Sequence, residues 1–310
     1  MTPAARDGRL GAILVNHNFY PMVMETLRML QEATRRYDDL VVVDNSSGGE
    51  FWRLIREELG AAATVVHVEN HGYAAAVNTG VRVLAGLGYG PGDYVVVTTH
   101  ETKPRQDAVG RLVEALEDDL RIGVAGPTLL DGNRSGARIW SEGGRLSRFL
   151  GLPEHVNWGR PFTGSQALAP VDRDWVDGAF AAYRWQALAD VPLPDVYFMY
   201  FEETECHTRL RKAGWRVVWA PQAVVVQAST GIPGYFLGRN VHLFQWRVGT
   251  WRGKAFADAW VAGKLLARVF ALRTRPCAVP QHVRGLIDGV RSRRADTAIV
   301  FPEAVHTRCH

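Results

Sequence analysis

Asn70-His71-Gly72-Tyr73-Ala74-Ala75-Ala76-Val77-Asn78-Thr79-Gly80 is the stretch whose reading decides the fold. It follows an apolar run at residues 64–68 and opens an alanine-rich helix expected over residues 74–87. Gly72 lets another backbone come close where the helix starts. Small alanines let that helix sit near a ligand, and its N-terminus favours an anion such as a diphosphate. An alanine-rich helix packed on a sheet behind a polar cap has the same local pattern.

The surrounding chain narrows the choice. Apolar runs at residues 10–15, 40–44, 64–68, 94–97 and 122–125 read as strands. Between them, residues 22–36, 50–59, 74–87 and 106–116 carry helical patterns, with Pro21 suited to a first turn. Val/Ile runs alternating with helices predict a parallel sheet covered on both faces. Ligands bind such sheets at the carboxyl ends of the strands. Those ends carry Asn16-His17-Asn18, Asp44-Asn45-Ser46-Ser47 and Thr98-Thr99-His100-Glu101. Asp44 suits a hydrogen bond from a ribose or a pyrimidine N–H; with Ser46 it equally suits a cap on the next turn.

Residues 131–170, rich in Gly, Pro, Ser and Arg, read as a long loop over a site with some local structure. Regular pattern returns at 175–188, then as a helix over 198–213 and strands at 216–219 and 224–226. That helix carries Tyr200-Phe201-Glu202-Glu203-Thr204-Glu205, three carboxylates in two turns. One is a candidate general base tuned by burial. The plainer alternative is a solvated acidic face with Glu205 paired to Arg209. The apolar run at 196–200 favours burial, and with it chemistry.

The chain has 310 residues, 47% apolar and 22% charged, which suits one large domain or a domain with an appendage. Its cysteines, Cys206, Cys277 and Cys309, form no C-x-x-C pair. That argues against a zinc module or a disulfide framework and fits a reducing compartment. Charges at Arg6, Asp7 and Arg9 precede any apolar run, so no secretory leader is expected. The net charge of +4 is uneven: 13 Lys/Arg face 4 Asp/Glu from Gly234 onward, against 23 and 28 in residues 1–233. Within the basic tail, helical geometry over 253–272 puts Lys254, Lys264 and Arg268 on one face. Phe256, Trp260, Leu265, Leu266, Val269 and Phe270 spread over the rest. Such a helix either packs on the body of the protein or lies on an anionic membrane surface. No nucleic-acid-binding module is present, and no nucleic-acid partner is expected.

Taken in order, the motifs resemble those of the family-2 glycosyltransferases, in particular their rhamnosyltransferase-like branch. Val15-Asn16-His17-Asn18 matches the turn after the family's first strand, and Val43 to Ser47 its Val-Asp-Asn-x-Ser. Asn70 to Gly80 matches its Asn-x-Gly-Phe-Ala-x-Ala-x-Asn-x-Gly string almost throughout. Gly178-Ala179-Phe180, after Trp175, matches its Gly-Ala-Phe, and Phe198 to Trp215 its acidic motif. Tyr235 to Asn240 matches its Tyr-x-x-x-Arg-Asn. Three departures stand out. Thr99-His100-Glu101 replaces the metal-binding Asn-Pro-Asp, Glu202-Glu203-Thr204-Glu205 replaces Glu-Asp-x-Asp, and Gln227 replaces the usual histidine.

The resemblance implies an α/β fold of GT-A type: Rossmann-like, with a mostly parallel central sheet, helices on both faces and a C-terminal helical region. It implies a catalytic domain over 1–233, with a nucleotide-sugar half over about 1–130 and an acceptor half over about 131–233, then a basic helical region over 234–310. The implied activity is inverting transfer of a sugar from a nucleoside diphosphate to a hydroxyl or amine of a glycan, lipid-linked or small-molecule acceptor. Glu203 is the implied base, with Glu202 second. Asn16, Asn18, Asp44, Asn45, Ser46, Asn70, Gly72, Tyr73, Asn78 and Thr99 are expected around the nucleotide. Trp175, Gly178, Ala179, Arg209 and Arg239 are expected around donor and acceptor, with Arg239 a candidate for steadying the leaving diphosphate. Glu101 and His100 are the expected ligands of Mg2+ or Mn2+. The implied location is cytoplasmic, peripheral on the inner face of the membrane. The altered acids leave an alternative: a catalytically weak homologue that binds a sugar nucleotide or scaffolds a partner.

Overall fold

The computed structural model describes residues 8–46, 48, 50–132, 136–164, 168–228, 231–271 and 276–292, so Ser47 and Leu272 lie outside the described residues. The first half alternates as expected. It runs β1 (Leu10–Asn16), α1 (Tyr20–Gln31), β2 (Asp39–Asp44), α2 (Phe51–Leu59), β3 (Thr64–His67), α3 (Tyr73–Gly86), β4 (Tyr94–Thr99), β5 (Thr102–Pro104), α4 (Ala108–Asp118) and β6 (Ile122–Asp131). The second half runs β7 (Ile139–Ser141), β8 (Gly144–Leu146), β9 (Pro153–His155), β10 (Val171–Asp172), β11 (Phe180–Arg184), α5 (Trp185–Asp190), α6 (Glu202–Lys212), β12 (Arg216–Gln227), α7 (Gly234–Arg247), α8 (Trp251–Phe270) and α9 (Ala278–Arg291).

The strands β3, β2, β1 and β4 pair in parallel, and β12 pairs in parallel with β6. Between these two groups β11 runs antiparallel to both β4 and β6. Alternate residues of each strand face opposite layers, as a period of two requires. Leu10, Ala12 and Leu14 share one core with Val23, Leu27, Ile55 and Leu112 of α1, α2 and α4. Ile13 and Val15 share the other with Val77, Cys206 and Leu210 of α3 and α6. This is a mostly parallel sheet with helices on both faces.

The local structure within residues 131–170 is β7, β8 and β9, and β8–β9 form a hairpin with Gly144 opposite His155. Three-residue strands are too short to show a period in sequence. The helix expected from residue 198 starts only at Glu202. Phe198, Tyr200 and Phe201 instead take positive φ of 70°, 68° and 75°. Each such residue costs about 1–3 kcal/mol. Helix α7 offsets that cost. Arg239 Nη1 and Nη2 donate to the carbonyls of Tyr197 (3.0 Å) and Val196 (2.8 Å). Asn240 Nδ2 donates to those of Met199 (2.7 Å) and Tyr200 (3.0 Å). Two hydrogen bonds from the charged Arg239 at about 1.5–3 kcal/mol each and two from Asn240 at about 0.5–1.5 kcal/mol each offset most of that strain. Apolar packing supplies the remainder: Val196, Tyr197 and Phe201 share a core with Val241, Phe244 and Val261. The first C-terminal helices are thus packed into the acid-bearing loop.

Helix α8 buries only Gly253, Ala257, Val261 and Leu265. Phe256, Trp260, Leu266 and Phe270 are 44–85% exposed, so most of its apolar surface does not pack on the body of the protein. Among the described residues no helix is long and apolar enough to cross a membrane. Cys206 is buried and free.

Candidate active site

The carboxyl ends of four neighbouring parallel strands bring Thr99, Asn16, Asp44 and His67 into a row. Asp44 is fully buried and already has three partners. Asn16 Nδ2 and Ser46 Oγ donate to its Oδ1, each at 2.7 Å, and His67 Nδ1 lies 3.1 Å from its Oδ2. Sequence reading expects this carboxylate to reach a ribose or base. In the structure it also orders these three neighbours. The same network continues outward. The Asn18 N–H donates to Ser46 Oγ (2.8 Å), and Asn70 Oδ1 accepts from Asn45 Nδ2 and from the Gly72 N–H, both at 3.1 Å. Three buried atoms at this edge have no hydrogen-bond partner among the described residues: Asn16 Oδ1, Asn45 Oδ1 and Thr99 Oγ1. Buried polar atoms are usually paired, and these three lie at the strand ends, where sheets of this kind take their ligands.

The acid-bearing loop joins this wall through α3. The Tyr73 N–H donates to the Phe198 carbonyl at 2.7 Å, and the Tyr73 hydroxyl donates to the Gly178 carbonyl. Gly72 has φ +98°, and a Cβ there would lie 2.1 Å from the Phe198 carbonyl oxygen. A Cβ on Gly178 would stand 3.4 Å from both Glu203 Cβ and the Tyr73 ring. Ala179 accepts from the Thr99 N–H at 3.0 Å, closing the ring of segments. Glu203, the second residue of α6, therefore stands where α3, the start of β11 and the strained loop meet.

The two leading acids differ in exposure. Glu202 is 4% exposed, and its Oε2 has no hydrogen-bond partner among the described residues. Glu203 is only partly buried. Burial raises Glu202 to about 7. Glu203 is pushed well above the ordinary carboxylate range by burial first, then by Glu202, then by Asp177. Unfolded Glu202 ionises in the ordinary range, folded Glu202 near 7, so between them folding binds a proton and stability falls as pH rises. Glu202→Gln is expected to raise the Tm over wild type at about pH 8 and to change it little at about pH 4, where both states are protonated. Equal Tm differences at both pH values in a thermal melt would contradict the assignment.

Several expected residues have structural partners of their own. Asn78 is about 140° round α3 from Tyr73 at 3.6 residues per turn. Its Nδ2 donates to the Leu193 carbonyl at 2.8 Å, away from the strand ends. Arg239 is fully buried and directed at the loop carbonyls, so it does not stand over a leaving group. Arg209 is half exposed on the outer side of α6, where its Nε lies 3.0 Å from Glu205 Oε1. Glu205 also accepts from the Tyr197 hydroxyl (2.5 Å) and Arg247 Nε (2.8 Å), which makes it a buried brace. Trp175 is buried against Gly144, with its ring edge on His155 at 4.9 Å. His155 Nδ1 in turn lies 3.5 Å from Asp177 Oδ1.

His100 and Glu101 form the turn between β4 and β5. Burial raises Glu101 to about 7 and lowers His100 to about 4, and the neutral His100 ring stacks on Phe19 at 5.0 Å. Among the described residues no group of three or more His, Cys, Asp or Glu could hold a metal. Gln227, opposite Thr102 in the β12–β5 ladder, has a buried Oε1 with no hydrogen-bond partner among the described residues. Carboxylate and amide oxygens suit Mg2+ or Mn2+, and a diphosphate normally completes such a shell. The residues present fit a metal held jointly with its ligand.

Sequence reading missed His67, Asp177, His155 and the bracing role of Asn240. His67 ends a strand as Asn16 and Asp44 do, and Asp177 directly precedes Gly178-Ala179; those positions were the available signals.

Residues 12–187 match the family model described as Glycosyl transferase family 2. Two Mycobacterium tuberculosis proteins, from strains CDC 1551 / Oshkosh and ATCC 25618 / H37Rv, bear the name N-acetylglucosaminyl-diphospho-decaprenol L-rhamnosyltransferase. Each is 25% identical over 236 residues, covering 70% of this chain and 75% of the relative. Among solved structures, GalNAc-T7 with UDP, GalNAc and Mn2+ superposes with a TM-score of 0.59 at 14% identity, covering 86% of this chain. The chain spans only 58% of that protein's length. The mannosyltransferase PcManGT from Pyrobaculum calidifontis, in complex with GDP-Man and Mn2+, gives 0.53 at 19% identity, covering 93% of this chain and 87% of its own. At these identities the structural matches establish the GT-A fold.

Proposed function

The chain belongs to glycosyl transferase family 2 and is a nucleotide-sugar-dependent glycosyltransferase, and from that premise we propose that it moves an L-rhamnose-type deoxyhexose onto a hydroxyl of a lipid-linked diphosphate sugar, with inversion. The names of the two mycobacterial relatives support this donor and acceptor. The observation that carries the catalytic reading is the partly exposed Glu203 at the junction of the nucleotide-wall helix and the Gly178 turn. The acceptor hydroxyl gives its proton to the Glu203 carboxylate. Its oxygen bonds to the anomeric carbon opposite the diphosphate, and the breaking C–O bond leaves its electron pair on the diphosphate. Glu203 then releases the proton to solvent. In this reading Asn16 Oδ1, Asn45 Oδ1 and Thr99 Oγ1 meet the nucleotide, and Asp44 shapes that wall from behind.

The proposal includes a divalent ion with Glu101 as the main protein ligand, His100 and Gln227 as further donors and the diphosphate completing the shell. When bound, the ion would offset the charge of the leaving group. Removing it with chelator is expected to slow transfer by about tenfold, with Mn2+ restoring the rate and Glu101→Ala losing that response. Full activity in excess chelator would reject the metal. The donor site is tested by a thermal-shift screen of nucleoside diphosphates and their sugars. The matching nucleotide stabilises by mass action, and no shift with any of them would reject the site. NMR of the product's anomeric proton tests inversion; a retained configuration overturns it.

A further inference from the structure

The outward surface of α8 has an order that packing does not explain. Its buried stripe recurs every four residues, at Gly253, Ala257, Val261 and Leu265. A second ridge at the same spacing runs along its flank: Arg252, Phe256, Trp260, Lys264 and Arg268. All five side chains are exposed, with Phe256 at 51% and Trp260 at 52%. The Lys264 ammonium sits over the Trp260 ring at 5.1 Å, and the Arg252 guanidinium lies 5.3 Å from the ring of Phe149. Phe149 is 60% exposed at the tip of the β8–β9 hairpin. The base of that hairpin carries His155, against Trp175 and Asp177. The ridge is therefore joined to the candidate cleft through one short hairpin.

We propose that this ridge, with Phe149, docks the enzyme on an anionic lipid bilayer and so holds the cleft at the plane where a lipid-linked acceptor lies. The proposal rests on the reading of the acceptor given above. Three cations among exposed aromatics match an interfacial surface in both respects. The rings enter the headgroup region, and the long Arg and Lys stems let their charges reach phosphate oxygens. The only acid within α8, Asp258, is held by His242 at 2.5 Å on another side of the helix. A water-facing helix has no need of large rings at four-residue spacing between cations.

Flotation of the full chain with phosphatidylglycerol vesicles and with phosphatidylcholine vesicles, without acceptor, tests docking apart from catalysis. Binding is expected to phosphatidylglycerol at low salt and to weaken in high salt. The variant Phe256→Ser/Trp260→Ser/Lys264→Glu is expected to lose at least about tenfold in vesicle partition. Its rate on a detergent-dispersed acceptor should equal that of wild type, which also shows that it is folded. Wild type left in the soluble fraction, or a variant that floats equally well, overturns the proposal. A concentration-dependent dimer in sedimentation velocity, lost in the variant, would assign the ridge to a second copy of the chain and also overturn it. Failure of the acceptor reading would show separately, as absence of transfer to a lipid-linked diphosphate sugar in detergent by a protein that still floats.

Discussion

Glu203→Gln is expected to lower sugar transfer by roughly 10²–10⁴-fold, the usual worth of a positioned base, while donor binding stays unchanged. The replacement is nearly isosteric, so it removes proton acceptance and little else. Glu202→Gln is expected to be milder, because Glu202 is buried behind its neighbour. Wild-type transfer should rise with pH beyond the ordinary carboxylate range. The base must lose its proton first, and burial, Glu202 and Asp177 all hold that proton on. Steady-state rates across pH check both statements. A fully active Glu203→Gln beside an inactive Glu202→Gln would move the base by one residue.

The second large effect is expected at Gly72, far from the acids in sequence. Gly72→Ala places a Cβ 2.1 Å from the Phe198 carbonyl oxygen and 2.5 Å from Phe198 Cα, at a φ of +98° that L side chains rarely adopt. Both neighbours are backbone, so the loop itself must shift. That loop leads directly into α6, and a displacement of about 1 Å at a reacting group can cost roughly 10²-fold in rate. The variant should therefore lose transfer by about that factor and melt at a lower temperature. Wild-type rate in the variant would show that the α3–Phe198 contact does not position Glu203.

What sequence could reveal here follows from the range of each interaction. The strands β1, β2 and β4 were legible because apolar runs buried on both faces need no knowledge of their partners. The edge carrying Asn16, Asp44 and Thr99 followed from strand direction alone. The start of α6 was misplaced because residues 198–201 look like the first turn of a helix. Their positive φ values are imposed by Arg239 and Asn240, some 40 residues later. Arg239 read as a cation for a diphosphate because charge is visible in sequence and burial is not. Asn78 matched the family string, yet its position round α3 sends it to Leu193. A helical wheel sorted the residues of α8 but could not say which side met the protein. The core took Gly253, Ala257, Val261 and Leu265 and left the large rings outside.

The central claim is that this chain transfers a sugar from a nucleotide, and mass spectrometry of the acceptor tests it most directly. The enzyme is incubated with a lipid-linked N-acetylglucosaminyl diphosphate and, one at a time, a panel of nucleoside-diphosphate sugars, with Mn2+ present. The account predicts an acceptor heavier by one deoxyhexose residue with one donor, and release of one equivalent of nucleoside diphosphate. Nucleotide binding with neither mass gain nor nucleotide release, for any donor in the panel, would contradict it and leave a sugar-nucleotide-binding homologue without transferase activity.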